Sequence, residues 1–251
     1  MRNWENNIRK VVPYTPGEQP KNTCVIKLNT NENPYPPAPG VKEVLSNFNT
    51  DDLRLYPDPR VDKLVNAIAD FYKIDSSKVF VGVGSDDVLA MIFMTFFNSK
   101  KPVLFPDITY SFYDVWADML RIPYEQLPLS DDFSIVPSDY YKANGGVVFP
   151  NPNAPTGKLM PLDEIEDIIE HNQDVIVVVD EAYVDFGGES ALPLIDKYDN
   201  VIVVQTFSKS RSLAGSRVGF AMASPVLIKY LNDVKYLSLI HISEPTRLQL
   251  I

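Results

Sequence analysis

Apolar positions in this chain gather in short unbroken runs rather than in alternation. "KVFVGVG" (78–84), "PVLF" (102–105), "GVVF" (146–149), "VIVVV" (175–179), "VIVVQTF" (201–207) and "GFAMA" (219–223) are continuous and rich in β-branched residues. Such runs mark strands covered on both faces, as in a largely parallel sheet. Between them helical spacing returns. "SDDVLAMIFMTFFN", "YSFYDVWADML" and "LDEIEDIIEHN" read as helices, and Val61, Leu64, Val65, Ile68 and Phe71 recur at helical intervals across 60–72. A further helix is expected to start near Val41. The alternation predicts an α/β fold, with a mostly parallel central sheet and helices on both faces.

Both ends break this pattern. The first 40 residues hold seven prolines, and "NTNENPYPPAPG" cannot be helical, because each proline removes a donor and restricts its neighbour. An extended arm is expected there, of a kind that packs on another subunit. At the other end "LSLIHISEPTRLQLI" (237–251) fits nothing before it and reads like a translated sequencing adapter. The natural chain is therefore expected to continue past about Tyr236. The division is an arm with a small-domain segment (1–45), a large domain (46–236) and a tail of non-native character (237–251).

Composition then removes whole classes of function. The 251 residues are 45% hydrophobic and 22% charged, which is globular. A net charge of -10 argues against non-specific nucleic-acid binding and against an anionic membrane surface. No apolar run is long enough to span a bilayer. One cysteine, Cys24, rules out an internal disulfide, and with the polar start "MRNWENNIRK" predicts a reduced, cytoplasmic protein. Two histidines, His171 and His241, are too few for a histidine-rich metal site, and no metal is expected. His171 sits on an acidic amphipathic helix and reads as solvated. There is no G-x-S-x-G elbow for a serine hydrolase.

Ligands of open α/β sheets gather at the carboxyl ends of the strands. The loops that matter are therefore "GSDD", "PDITY", "PNPNAPTG", "DEAY" and "SKSRSLAGSR". Asp180 ends one buried run, where a carboxylate is costly unless something cationic meets it. Lys209 lies just past the next run, where desolvation favours a neutral amine and so a Schiff-base nucleophile. Ser208, Ser210 and Arg217 are close enough in sequence to converge on an oxyanion. "GVGSDD" ends a strand at Gly84 and opens a helix at Ser85, whose free amides make an anion seat. The "GVG" alone lacks the third glycine of a dinucleotide fingerprint. An amine for an aldehyde, an acid for a ring nitrogen, groups for a phosphate and tyrosines for stacking match the parts of pyridoxal 5′-phosphate. Tyr183, one helical turn beyond Asp180, suits the ring's phenolic oxygen. Plainer readings stand beside these: Lys209 as a surface lysine beside the sheet, Ser85 as an ordinary helix cap, Asp180 as an N-cap or a structural ion pair, Tyr110 as core and Tyr56 as interface packing.

"NPNAPTG", "VVVDEAYVDF" and "TFSKSRSLAGSRVGF", in that order, resemble the fold-type I, class II pyridoxal-phosphate-dependent aminotransferases. "LNTNENPYPP" and "RLYPDP" narrow the resemblance to the branch that exchanges L-histidinol phosphate and 2-oxoglutarate for imidazole-acetol phosphate and L-glutamate, in histidine biosynthesis. The likeness covers residues 3 to 236. It implies that Lys209 bonds covalently to the cofactor's aldehyde and then moves the proton between Cα and C4′. It implies that Asp180 pairs with the ring nitrogen and Tyr183 with the phenolic oxygen. Ser85 and Asp86, through backbone amides, would hold the phosphate with Ser208 and Arg217, and Tyr110 would stack on the ring. Tyr56 would reach the neighbouring subunit's cofactor in a homodimer, and Asn31 and Glu32 would lie on the substrate side. Two departures stand out. The family's asparagine before the proline of "PTG" is Ala154 here, leaving Asn153 as the neighbouring candidate. The C-terminal small domain, which supplies arginines for the substrate carboxylate, is missing. Related readings are a threonine-phosphate decarboxylase, an aromatic aminotransferase, or an inactive truncated fragment.

Overall fold

A computed structural model describes residues 8–12, 26–56 and 58–236. Cys24, His241 and the segment 237–251 lie outside the described residues. Seven strands form one sheet: β1 (Val79–Gly82), β2 (Val103–Pro106), β3 (Tyr124–Leu127), β4 (Gly146–Pro150), β5 (Val177–Asp180), β6 (Val201–Thr206) and β7 (Gly219–Ala223). Their order is β1-β7-β6-β5-β4-β2-β3. The run from β6 through β5, β4 and β2 to β3 is parallel, and β7 pairs antiparallel with both β6 and β1. β1 therefore points the same way as β6, and Gly219 at the start of β7 lies beside Thr206 at the end of β6.

The predicted runs became strands because both faces are covered. Val177, Val179, Val201 and Val203 pack into one core with α2 (Asp62–Tyr72) and α5 (Leu162–Glu170). Val178, Ile202 and Val204 pack into the opposite core with α3 (Ser85–Phe96), α4 (Tyr113–Leu120) and α6 (Pro225–Val234). Every residue of β4, β5 and β6 is buried. Each fully buried valine or isoleucine side chain contributes roughly 1.5–3 kcal/mol.

Differences from the sequence expectation have plain causes. β3 ("YEQL") is a half-exposed edge strand and so carries no apolar run. α6 fills the face beneath α3 and was not anticipated. Phe71 shares the spacing of the α2 stripe yet is 53% exposed; it is the next-to-last residue of the helix, and its ring meets that of Tyr72 at 82°. His171 is not simply solvated: its ring stacks on Tyr141 at 3.7 Å between centroids. α1 (Pro39–Ser46) begins just before Val41, and 26–38 forms neither helix nor strand.

β6 is buried along its whole length, so truncating one of its side chains leaves a hole in the core. Ile202→Ala in β6, at a site with no solvent exposure, is expected to cost about 2–5 kcal/mol of unfolding free energy. Urea denaturation of the purified chain measures it, and a loss below 1 kcal/mol, on the order of a surface change, would contradict the buried assignment.

Candidate active site

The loops after β1, β2, β4, β5 and β6 meet at one end of the sheet and enclose a cavity of about 170 Å³. Its walls include Ser85, Asp86, Tyr110, Asp180, Tyr183, Ser208, Lys209 and Arg217. Larger hollows of about 640 and 480 Å³ open near the amino ends of strands, beside Gly145 and Val175 and beside Val79, and gather no comparable set. Size is a poor guide here; convergence of chemistry is the better one.

Asp180 closes β5 at 4% exposure, on the face opposite its neighbour Glu181. Tyr113 Oη donates to its Oδ2 at 2.8 Å, and the Ala182 amide donates to Oδ1 at 3.2 Å. Burial pushes the Asp180 carboxyl up to about 6, and the Asp86 charge adds to the rise. The two hydrogen bonds and the Lys209 charge pull the other way. Burial and the Asp180 carboxylate together push the Tyr113 hydroxyl well above its usual range, so it stays a donor. Neutral donors steady the acid without cancelling its charge. A protonated ring nitrogen in the cavity would cancel it.

Lys209 enters the cavity from the turn after β6. Its Nζ donates to the Thr30 carbonyl at 3.2 Å and lies 5.3 Å from the centroid of the Tyr183 ring. Asn31 Nδ2 donates to Tyr183 Oη at 2.9 Å, which leaves the tyrosine's own proton for another acceptor. Asn33 Nδ2 donates to the carbonyls of Lys209 and Ser210, at 3.2 and 2.9 Å.

The anion seat is built by close approach. α3 starts at Ser85 with Gly84 as its N-cap and no side-chain cap, so the first amides of the helix are left to a ligand. Gly84 has φ +86°, and a Cβ there would sit 2.6 Å from Arg217 Nη2. A Cβ on Gly219 would sit 2.2 Å from the Ser85 nitrogen. Only glycine fits at either place. The Asp86 carboxylate accepts from Arg217 Nη2 at 2.8 Å and from Tyr110 Oη at 2.7 Å. Thr206 Oγ1 donates to Ser208 Oγ at 3.0 Å.

Several expected residues stand elsewhere. Asn153 is 2% exposed but does not line the cavity; Ala154 does. The Asn153 amide is spent tying two loops, donating to the Ile108 carbonyl at 3.0 Å and accepting from Thr109 Oγ1 at 3.1 Å. Ser210 turns away and donates to Asp185. Glu32 is exposed and pairs with Lys27 at 2.7 Å. Tyr56 is 89% exposed and is not brought to this cavity. Sequence reasoning missed Tyr113, Thr30, Asn33 and Thr206. Tyr113 carried one signal, its helical spacing of three from Tyr110.

The residues present fit pyridoxal phosphate: an amine and a buried acid share one cavity, and a capless helix, an arginine and a serine stand at one side of it. The family model for class I and II aminotransferases matches residues 23–250. The chain belongs to the class I and II aminotransferases. A histidinol-phosphate aminotransferase of Lactococcus lactis subsp. cremoris (strain MG1363) is 54% identical over 232 residues, covering 92% of this aminotransferase chain and 65% of that protein. Histidinol-phosphate aminotransferase 2 of Dechloromonas aromatica (strain RCB) is 56% identical over 238 residues, covering 93% and 67%. The chain thus spans about two thirds of the length of these relatives. The fold matches the crystal structure of histidinol-phosphate aminotransferase from Sinorhizobium meliloti in complex with pyridoxal-5′-phosphate. The TM-score is 0.79 at 23% identity, over 88% of this chain and 62% of that one. Among the described residues no cluster of metal-ligating side chains occurs, and no helix is long and apolar enough to cross a membrane.

Two outcomes follow from this geometry. Gly84→Ala is expected to destabilise the chain by about 1–2 kcal/mol or more, because a Cβ at positive φ is strained and also displaces Arg217; urea denaturation checks it, and a neutral result would contradict the close packing. The second outcome concerns pH. Glu181, 1% exposed, is pushed up to about 7 by burial, against the pull of hydrogen bonds from Ser190, Ala191 and Gln205. Unfolded acids ionise near pH 4, so between about pH 4 and 7 Glu181 in the folded cofactor-free chain holds a proton that it has lost in the unfolded one. Its contribution to stability therefore falls as pH rises through that window. Glu181→Gln is expected to flatten that fall, read as unfolding free energy at stepped pH. An unaltered slope would show that Glu181 titrates like an exposed acid.

Proposed function

We propose that the whole protein is a pyridoxal-phosphate-dependent aminotransferase. It interconverts L-histidinol phosphate and 2-oxoglutarate with imidazole-acetol phosphate and L-glutamate, a step of histidine biosynthesis. The observation that carries the reading is the single cavity shared by the Lys209 amine and the buried Asp180 carboxylate. The choice of substrate is supported by relatives at 54% and 56% identity that bear that name.

When bound, the cofactor supplies a protonated pyridine ring that draws electrons from the substrate Cα. Asp180, steadied by Tyr113 and the Ala182 amide, keeps the proton on the ring nitrogen. Its burial suits it to a cationic partner inside the cavity. Tyr183, oriented by Asn31, donates its hydroxyl proton to the phenolic oxygen. The Ser85 and Asp86 amides, Ser208 and Arg217 bind the phosphate, and the Asp86 carboxylate fixes both Arg217 and Tyr110 in place. Tyr110 stacks on the ring. Lys209 would hold the cofactor's aldehyde, and its amine, once released by the substrate, would serve as the base for the proton at the substrate Cα. Ala154 offers a methyl group where the family has an amide. Asn31, which bonds the Tyr183 hydroxyl, lies on the substrate side, whereas Glu32 is held away by Lys27.

The same reading makes the protein a cytoplasmic homodimer in which Tyr56 reaches the neighbouring site. Leu53, Leu55 and Tyr56 are 48%, 54% and 89% exposed on one short segment, which supports a covering partner. The large domain is residues 46–236.

Adding pyridoxal phosphate, reducing with borohydride and mapping the modified peptide is expected to place the label on Lys209. Label at another lysine, or none in a folded sample, would sink the cofactor assignment. In the full-length enzyme Lys209→Ala is expected to lose at least about a thousandfold in turnover with histidinol phosphate, since the nucleophile and the base are one group. Release of carbon dioxide from threonine phosphate at a comparable rate would favour the decarboxylase instead.

A further inference from the structure

The turn that carries Lys209 is strained. Ser212, three residues on, has φ +58°, a left-handed conformation that non-glycine residues rarely hold. Two backbone hydrogen bonds close the turn: the Ser212 amide to the Lys209 carbonyl at 3.1 Å, and the Leu213 amide to the Phe207 carbonyl at 3.0 Å. Such a conformation persists where the surroundings over-determine it.

Arg211 supplies those surroundings. Its guanidinium folds back and lies 5.0 Å from the Phe207 ring centroid and 5.7 Å from that of Phe220. Its Nη2 donates to Tyr72 Oη at 2.8 Å and stands 3.6 Å from the Asp185 carboxylate, which also accepts from Ser210. Tyr72 Oη donates onward to Gln205 Oε1 at 2.5 Å, and Gln205 Nε2 donates to Glu181 Oε2 at 2.8 Å. Glu181 is fastened in turn by Ser190 Oγ at 2.7 Å and the Ala191 amide at 2.6 Å. Donors and acceptors run in one consistent direction, from guanidinium to carboxylate. The relay links the lysine turn to α2, to β6 and to the loop after β5. It lies on the Glu181 side of the sheet, and none of its members lines the cavity.

We propose that Arg211, backed by the Tyr72–Gln205–Glu181 relay, is a positioning residue that clips the Lys209 turn so that the amine faces Asp180. The consequence for catalysis rests on the reading of Lys209 above; the clip itself is made of this chain alone and needs no cofactor.

Hydrogen exchange on the cofactor-free protein tests it directly. In Arg211→Gln and in Tyr72→Phe, the amides of Ser212 and Leu213 are expected to exchange at least about tenfold faster, the loss of one charge-assisted hydrogen bond. Amides in the middle of β6 are expected to keep their rates. Arg211→Lys, which retains the charge beside Asp185 but not the planar stack, is expected to fall between. In the same variants the rate of borohydride-trapped labelling at Lys209 is expected to drop severalfold. Exchange unchanged at 212 and 213, or accelerated equally along the whole chain, would overturn the clip in favour of a general stabilising role. Tyr72→Phe removes only a hydroxyl, and decides the matter if Arg211→Gln does not fold. Absence of label in the parent chain would instead overturn the cofactor reading and leave the exchange result standing.

Discussion

A carboxylate buried where a parallel strand ends has to be met by positive charge, and the rest of this site is arranged around Asp180. The parallel sheet puts it there, because the valines of β5 are covered on both faces and bury the strand's last residue with them. Tyr113 and the Ala182 amide hold it in place but bring no net charge. The low local dielectric makes an unanswered charge expensive and an answered one strong. A cavity beside it, with an amine on another wall, is what a cationic aromatic ring requires.

The corner of the cavity at Ser85 and Arg217 depends on the same end of the sheet in a different way. Because β7 runs antiparallel, its first residue arrives beside the start of α3, and Gly219 lets the two backbones touch. Gly84 opens the space that the Arg217 guanidinium fills. Asp86 then joins Arg217 to Tyr110 through one carboxylate, which fixes two walls of the cavity together. Two sides of one strand end also take separate tasks. Asp180 looks into the cavity, while Glu181, the next residue, looks into the opposite core and anchors the relay behind Lys209.

What the sequence determined by itself was whatever depends on local pattern. Continuous β-branched runs name a doubly covered sheet, and the loops after those runs hold the functional groups. Lys209, Asp180, Tyr183, Ser85, Asp86, Tyr110, Ser208 and Arg217 lie on those loops and line one cavity, since topology sends each loop to one end of the sheet. Tertiary structure alone decided which neighbours those groups meet. Asn153 and Ala154 are adjacent in sequence, yet backbone direction sends the alanine to the cavity and spends the asparagine on holding two loops. Tyr113 became the partner of Asp180 through a separation of 67 residues, and Arg211 met Tyr72 across 139. Edge strand β3 was invisible because an exposed edge needs no apolar run. Hydrogen-bond partners across such distances leave no trace in periodicity, because they are set by the packing of whole elements.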